Sequence, residues 1–347
     1  MRERPVTSHD VARKAGVSRT TVSMVLSNST AGTFPEETRL RVLEAAAALG
    51  YTPNSAARML VRGNTQTLGL ILAHPKLMTI DAFVPQLLYG ISQKAQQFGY
   101  RVLLEAVENT ADPIAYHELV GGKRIDGLIV LNPQVDDKAL WSLIDSDFPI
   151  VLLGSLRHPK EHTVNFRTGP AIRRMIAHLA SLGHRQIGHI ALSAPGPIAT
   201  NARITGYQRA LREAGIEPDP RLLAHGDYSM ESGHRAMIEL LDRNIPVQAV
   251  FAANDTLAIG AMAAIRERGL SIPHDIAIVG FDDLPIAAYA CPPLTTVRNP
   301  PIRQGQLAAE MLIRLMRRET VAEPHLVAET ELVVRQSCGA SPAGLVG

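Results

Sequence analysis

Cysteine, aromatic residues and long apolar runs are all scarce in this chain of 347 residues. Its two cysteines, Cys291 and Cys338, cannot build a disulfide framework and supply no Cys-x-x-Cys pair for a metal or redox centre, which suits a reducing cytosol. No run of about 18 apolar residues is present to span a membrane. The opening stretch, Met1-Arg-Glu-Arg-Pro-Val6, has no apolar segment resembling a secretion signal, so a cytoplasmic protein is expected. Phosphate-cradling loops are missing too: no strand is followed by Gly-x-Gly-x-x-Gly, and no Gly-x-x-x-x-Gly-Lys-Ser/Thr occurs. The prolines of Ala194-Pro-Gly-Pro-Ile198 remove the N–H donors a phosphate nest requires. Without a Gly-x-Ser-x-Gly elbow, a nucleophilic enzyme is unsupported as well. His158 and His162, then His178, His184 and His189, suggest a metal site at first sight. Prolines around the first pair and the lack of an accompanying acid cluster favour surface or capping roles, so neither metal nor cofactor is expected.

What is present is a globular balance, 46% apolar and 20% charged, in a chain long enough for two or three compact units. The net charge of +2 hides an asymmetry. Residues 1–63 carry nine arginines and lysines against five acids, a surplus of four that leaves −2 for the remainder. Such a basic N-terminal unit fits a phosphate-binding head, although a solvated basic helix surface has the same charge.

Thr7-Ser-His-Asp10 has capping-box spacing and starts a helix whose face is Val11, Ala12 and Ala15. Gly16 ends it, Val17 supplies an apolar contact and Ser18 caps a second helix. There Val22, Val25 and Leu26 point inward, leaving Arg19, Thr20, Thr21, Ser23 and Met24 outside. Hydroxyls and an arginine at a helix N-terminus suit phosphates and base edges of a major groove; an ordinary helical pair with a polar face has the same pattern. A third helix follows Thr33-Phe-Pro-Glu36, with Leu40, Val42, Leu43, Ala46, Ala47 and Leu49 expected inside and Gly50 as its stop.

From residue 67 apolar runs alternate with amphipathic stretches. Residues 68–73, 101–107, 127–131, 150–153, 187–192, 249–253 and 276–280 read as buried parallel strands. Helices are expected over 85–98, 169–182, 204–214, 232–241, 257–268 and 303–317, and residues 326–336 read as a late strand returning to a second lobe. Two doubly wound lobes follow, with ligands expected beyond the carboxyl ends of the strands. Arg203, Tyr228, Asn254, Asp255, Asp282 and Asp283 stand there. Singly, each also reads as an ion pair, a packing residue, a helix cap or a turn.

The segments DVARKAGVSRTTVSMVL and ETRLRVLEAAAALGYTPNSAARML resemble the DNA-binding head of the lactose and galactose repressor (LacI/GalR) family of bacterial transcriptional regulators. SLGHRQIGHIAL, NARITGYQRAL, AVFAANDTLAIGAM, DIAIVGFDD and PPLTTVR resemble its periplasmic-binding-protein-like regulatory domain. The resemblance implies an N-terminal all-α helix-turn-helix head at residues 1–52 and a hinge helix at 53–63. An α/β domain of two doubly wound parallel-sheet lobes at 64–340 would bind effector and dimerise. It implies DNA contacts from Ser18, Arg19, Thr20, Thr21, Ser23, Met24, Thr38 and Asn54. Leu60 would be the wedge that kinks the operator's minor groove. Ala82, Phe83, Arg203, Tyr228, Asn254 and Asp282 match effector contacts, the tyrosine as an aromatic cover. Two positions depart from the pattern: Gly154 lies where the family often has an effector-binding aspartate, and Asn165 replaces a common acid.

The implied protein is a homodimer that binds a pseudo-palindromic operator, a repressor by default, answering to a sugar or sugar derivative, with a purine or other polar metabolite next. No chemistry is expected of it. A transport-type binding protein would share the lobes but carry a secretion signal and no DNA head. The segment 339–347 is too short and too poor in leucine for a heptad tail, so no tetramer is expected.

Overall fold

The structure is a computed structural model describing residues 4, 6–26, 34–52, 64–72, 76–107, 116–134, 137–192 and 198–340. The expected hinge helix, with Asn54 and Leu60, lies outside the described residues, as do Thr33 and the Ala194 loop. Contacts divide the chain into Met1–Thr65 and Gln66–Gly347.

The first unit holds α1 (Ser8–Ala15), α2 (Arg19–Leu26) and α3 (Glu36–Ala48). The Asp10 carboxylate reaches back to the Thr7 N–H at 3.0 Å and takes its hydroxyl at 2.6 Å, fixing the start of α1. Gly16 adopts φ +67°, the left-handed turn that lets the chain double back into α2. Val11, Ala12, Ala15, Val22, Val25, Val42, Ala45 and Ala46 form the core. The inner face of α3 is narrower than its sequence suggests. Val42, Ala45 and Ala46 are buried with Leu49 packed against them, whereas Leu40, Leu43 and Ala47 are exposed. Spacing of 3, 4 and 7 from Val42 selects one face, and those three residues fall on the other.

In the second unit, β1 (Thr67–Leu72), α4 (Leu77–Ile80), α5 (Phe83–Gln97), β2 (Arg101–Ala106), β3 (Gly127–Leu131), α6 (Lys138–Asp145), β4 (Ile150–Leu153) and β5 (Thr163–Phe166) build a first lobe. The chain crosses to a second lobe of α7 (Thr168–Ser181), β6 (Ile187–Leu192), α8 (Ile198–Glu213), β7 (Leu223–Gly226), α9 (Met230–Asp242), β8 (Ala249–Ala252), α10 (Asp255–Glu267), β9 (Ala277–Val279), α11 (Pro285–Tyr289) and β10 (Thr296–Arg298). It returns through α12 (Pro301–Met316) and β11 (His325–Ala328), then crosses again to β12 (Glu331–Val333).

The first sheet is parallel in the order β11-β5-β4-β3-β1-β2, and the second is parallel in the order β7-β6-β8-β9. β10 and β12 pair antiparallel. Both faces of each sheet are covered, by two apolar clusters per lobe. That is why β3, β4 and β8 are unbroken apolar runs and β6 is buried throughout, while β2, at an edge, is half-exposed and carries Glu105. The late strand expected over 326–336 is two strands. Residues 325–328 extend the first sheet alongside β5, and only 331–333 belong to the second lobe. Among the described residues no helix is long and apolar enough to cross a membrane.

His189 lies at the centre of the second sheet, fully buried, stacked on Phe251 at 4.4 Å with Nδ1 on the Phe251 carbonyl at 2.8 Å. Burial first, then the charges of Arg203 and His225, lowers its pKa from 6.5 to about 4. Between those values the unfolded chain binds the extra proton, so stability is complete above pH 6.5 and lost as pH falls toward 4. The loss amounts to about 3 kcal/mol. His189→Phe, which keeps the stacking, is expected to flatten this part of the acid limb in urea unfolding; an unchanged slope would refute the assignment.

Candidate operator-reading face and effector cleft

In the head, the Ser18 hydroxyl accepts the Thr21 N–H at 3.1 Å and lies 2.9 Å from the Thr21 hydroxyl, so both side chains help to start α2. Arg19, Thr20 and Ser23 are exposed and Met24 half-buried, together forming the face opposite Val22 and Val25. Among the described residues Arg19 has no ion-pair partner. Half-buried Thr38, in the first turn of α3, gives its N–H to Pro35 and receives a 3.4 Å bond from Arg41. Pro35 takes the cap position of α3 without a side-chain bond.

In the second unit the carboxyl ends of both sheets open onto a cavity of about 270 Å³. Phe83, Arg203, Tyr228, Asn254 and Asp282 all line it. Ala82 does not; it is exposed just ahead of α5, and the cavity residue there is Asp81. Asp255 and Asp283 also stay out. The Asp255 carboxylate holds the Thr296 hydroxyl at 2.6 Å and the Leu284 N–H at 2.7 Å, while Asp283 pairs with Arg298 and Arg335.

Each lining group is held by its backbone neighbours. Arg203 donates to the Ala253 carbonyl at 3.0 Å and lies over the Phe281 ring at 4.9 Å. Asn254 caps α10, its oxygen accepting the Leu257 N–H at 2.8 Å. Among the described residues its buried amide nitrogen has no hydrogen-bond partner. The helix cap and this amide nitrogen are thus two ends of one side chain. Asp282 sits at φ +110°, a conformation that L residues rarely adopt, and accepts the Asn299 amide at 2.9 Å. The other end of that amide, Asn299 Oδ1, is also buried and has no partner among the described residues. Tyr228, at φ +77°, packs against apolar clusters of both lobes.

Burial dominates the electrostatics. It raises the Asp282 carboxyl well above its usual range against the pull of Arg203, and it raises Asp81 to about 6 despite the Phe83 N–H and Arg203. The Tyr228 phenol is pushed up to about 12 by the same cause.

The two departures in the sequence meet each other. Asn165 Nδ2 donates to the Gly154 carbonyl and Asn165 Oδ1 accepts the Gly154 N–H, both at 2.9 Å. Gly154 has φ +134°, and a Cβ there would lie 2.8 Å from Pro133 Cδ. Reading only residues just beyond strand ends overlooked Asp81, Asn299 and Gln304. Asp81 accepts the Phe83 N–H at 3.0 Å at a helix start, a contact that only the structure shows. The histidines are dispersed: His158 faces Asp145 and Trp141, and His178 faces Cys338. No metal-holding group of three or more His, Cys, Asp or Glu occurs among the described residues.

Gly154→Ala is expected to destabilise the protein by about 1–3 kcal/mol, measured by urea unfolding. Native-like stability would show that the backbone here relaxes freely. Arg19→Ala is expected to weaken operator binding by about 1–3 kcal/mol and to relax base preference at one position of each half-site. A uniform loss across sequences, read by selection from a random duplex pool, would assign Arg19 to phosphate instead.

Residues 7–54 match the bacterial regulatory proteins, lacI family, and residues 176–338 match the periplasmic binding protein-like domain. The HTH-type transcriptional regulator CelR of Thermobifida fusca is 34% identical over 97% of this chain and 99% of its own. The HTH-type transcriptional repressor CytR of Escherichia coli (strain K12) is 32% identical over 98% of both. Among solved structures, a lac repressor dimer bound to operator and the anti-inducer ONPF superposes with a TM-score of 0.86 at 30% identity, covering 97% of this chain and 100% of that one. A CelR-cellobiose complex gives 0.72 at 33% identity, covering 96% and 100%. The helical head, the two parallel-sheet lobes and these likenesses over nearly the full length agree: the chain belongs to the lacI family of bacterial regulatory proteins and is a DNA-binding transcriptional regulator.

Proposed function

We propose that this regulator is a cytoplasmic repressor whose hold on its operator is set by a sugar or sugar derivative bound in the cleft between the two lobes. The observation that carries this reading is the convergence of Arg203, Asn254 and Asp282 on one cavity, where a buried amide nitrogen and a buried amide oxygen have no partner among the described residues. A carboxylate, an amide and a guanidinium placed together suit vicinal hydroxyls, each of which donates and accepts. Phe83 and Tyr228 supply apolar faces from opposite lobes for the ring of the ligand. The CelR-cellobiose complex supports a sugar. The aromatic walls favour a nucleoside or purine as the second choice.

In this reading residues 1–52 form the operator-reading head, 53–63 the hinge and 64–340 the effector-binding and dimerising unit. Ser18, Arg19, Thr20, Thr21, Ser23, Met24 and Thr38 face DNA, with Asn54 and Leu60 serving the hinge. Two chains form a homodimer that reads two half-sites of a pseudo-palindrome, a reading that the operator-bound lac repressor dimer supports. Effector binding changes the angle between the lobes and so the order of the paired hinges.

The test is thermal denaturation of the full chain with a panel of sugars, nucleosides and bases, followed by operator binding with and without any ligand that raises the transition. A sugar is expected to raise it and to change operator affinity, and Arg203→Ala to abolish the shift. A ligand that stabilises the protein equally in Arg203→Ala would remove the site from the cleft.

A further inference from the structure

Three charged residues line the cleft among those described: Asp81 from the first lobe, and Arg203 and Asp282 from the second. They share one electrostatic neighbourhood, since Arg203 acts on both carboxyls and Asp81 acts on Asp282. Yet among the described residues the guanidinium makes no ion pair with either acid. It is held by the Ala253 carbonyl and the Phe281 ring instead. The three charges thus line one cavity, Asp81 from the first lobe and the other two from the second.

The other polar groups of the first-lobe wall are largely committed. Asn165 is bound to the Gly154 backbone, Ser155 Oγ donates to Glu161 at 2.6 Å, and Gln304 Nε2 donates to the Val164 carbonyl at 2.9 Å. Gly154 contributes no side chain at all. Asp81 differs. It is 8% exposed and uses Oδ1 for the Phe83 N–H at 3.0 Å. That bond leaves Oδ2 as a strong acceptor at the start of α5.

We propose that Asp81 is a specificity-determining effector contact: facing Asp282 across the cleft, it selects an uncharged ligand with hydroxyl donors on two opposite edges and excludes sugar phosphates and sugar acids. The proposal rests on the effector-site reading above and names the ligand class more narrowly. Among the described residues, two carboxyls against a single guanidinium leave no surplus positive charge for an anionic ligand, and burial magnifies each like-charge repulsion. A hydroxyl donating to the Asp81 carboxylate forms a charge-assisted bond, and a ligand that also hydrogen-bonds Asp282 ties the first lobe to the second. The acid missing at Gly154 is in effect supplied from another element of the same lobe.

The test uses the full chain, with binding measured calorimetrically for cellobiose, glucose, ribose and cytidine on one side and glucose 6-phosphate and glucuronate on the other. At least one neutral probe is expected to bind. Asp81→Ala should weaken it about tenfold or more, as loss of a hydrogen bond to a charged group does. Asp81→Asn should weaken it less and, by removing one negative charge, improve binding of glucose 6-phosphate or glucuronate. Mere damage to the fold would not produce such a gain. Preferential binding of the anionic probes to the unaltered protein would overturn the proposal and leave the cleft as the effector site. Neutral binding that neither Asp81 variant alters would do the same. If no probe binds, the sugar-effector reading and this proposal fall together.

Discussion

Three segments of chain join the two lobes, and the chemistry of the cleft depends on where they cross. The first runs through Asn165, Phe166 and Thr168, all of which line the cavity. The second carries Asn299, which holds Asp282, and leads to Gln304, whose amide reaches back to Val164 of the first segment. The third lies beside the first, with the Arg167 N–H on the Ala328 carbonyl, Arg174 on the Thr330 carbonyl and Arg167 paired with Glu329. The first two connections thus also supply part of the cavity lining.

Much of this architecture was legible because buried parallel strands have no polar face to interrupt them. β1, β3, β4, β6, β8 and β9 announced themselves as apolar runs. What escaped were β5, β7 and β10, of three or four residues each, with sequences such as TVNF and LAHG that carry no period. Their conformation is imposed by the neighbouring strand rather than by their own composition. The tail was misread for a similar reason. Two short strands separated by Glu329 and Thr330 look continuous in sequence, yet pair with different sheets.

Within the site, Phe83, Arg203, Tyr228, Asn254 and Asp282 could be named from the sequence because they follow strands or match a family pattern. Asp81 could not, since what matters about it is burial opposite two charges supplied by distant segments. The relation between Gly154 and Asn165 was equally invisible. Each read as a missing acid, and only the turn between β4 and β5 brings the carboxamide onto the glycine backbone. The structure thus turns two apparent losses into one rigid wall element.

The triple connection also limits how the lobes can move. A single linker would let one lobe swing and twist about any axis through it. Three neighbouring segments, bonded to one another near their crossings, resist twisting more than bending, because a twist would shear the bonds between them. Tyr228, resting on the cores of both lobes, lies in the path of such bending. A joint that favours one bending direction over the others is a mechanical system with few free coordinates, and such a system passes on a signal with little loss to competing motions.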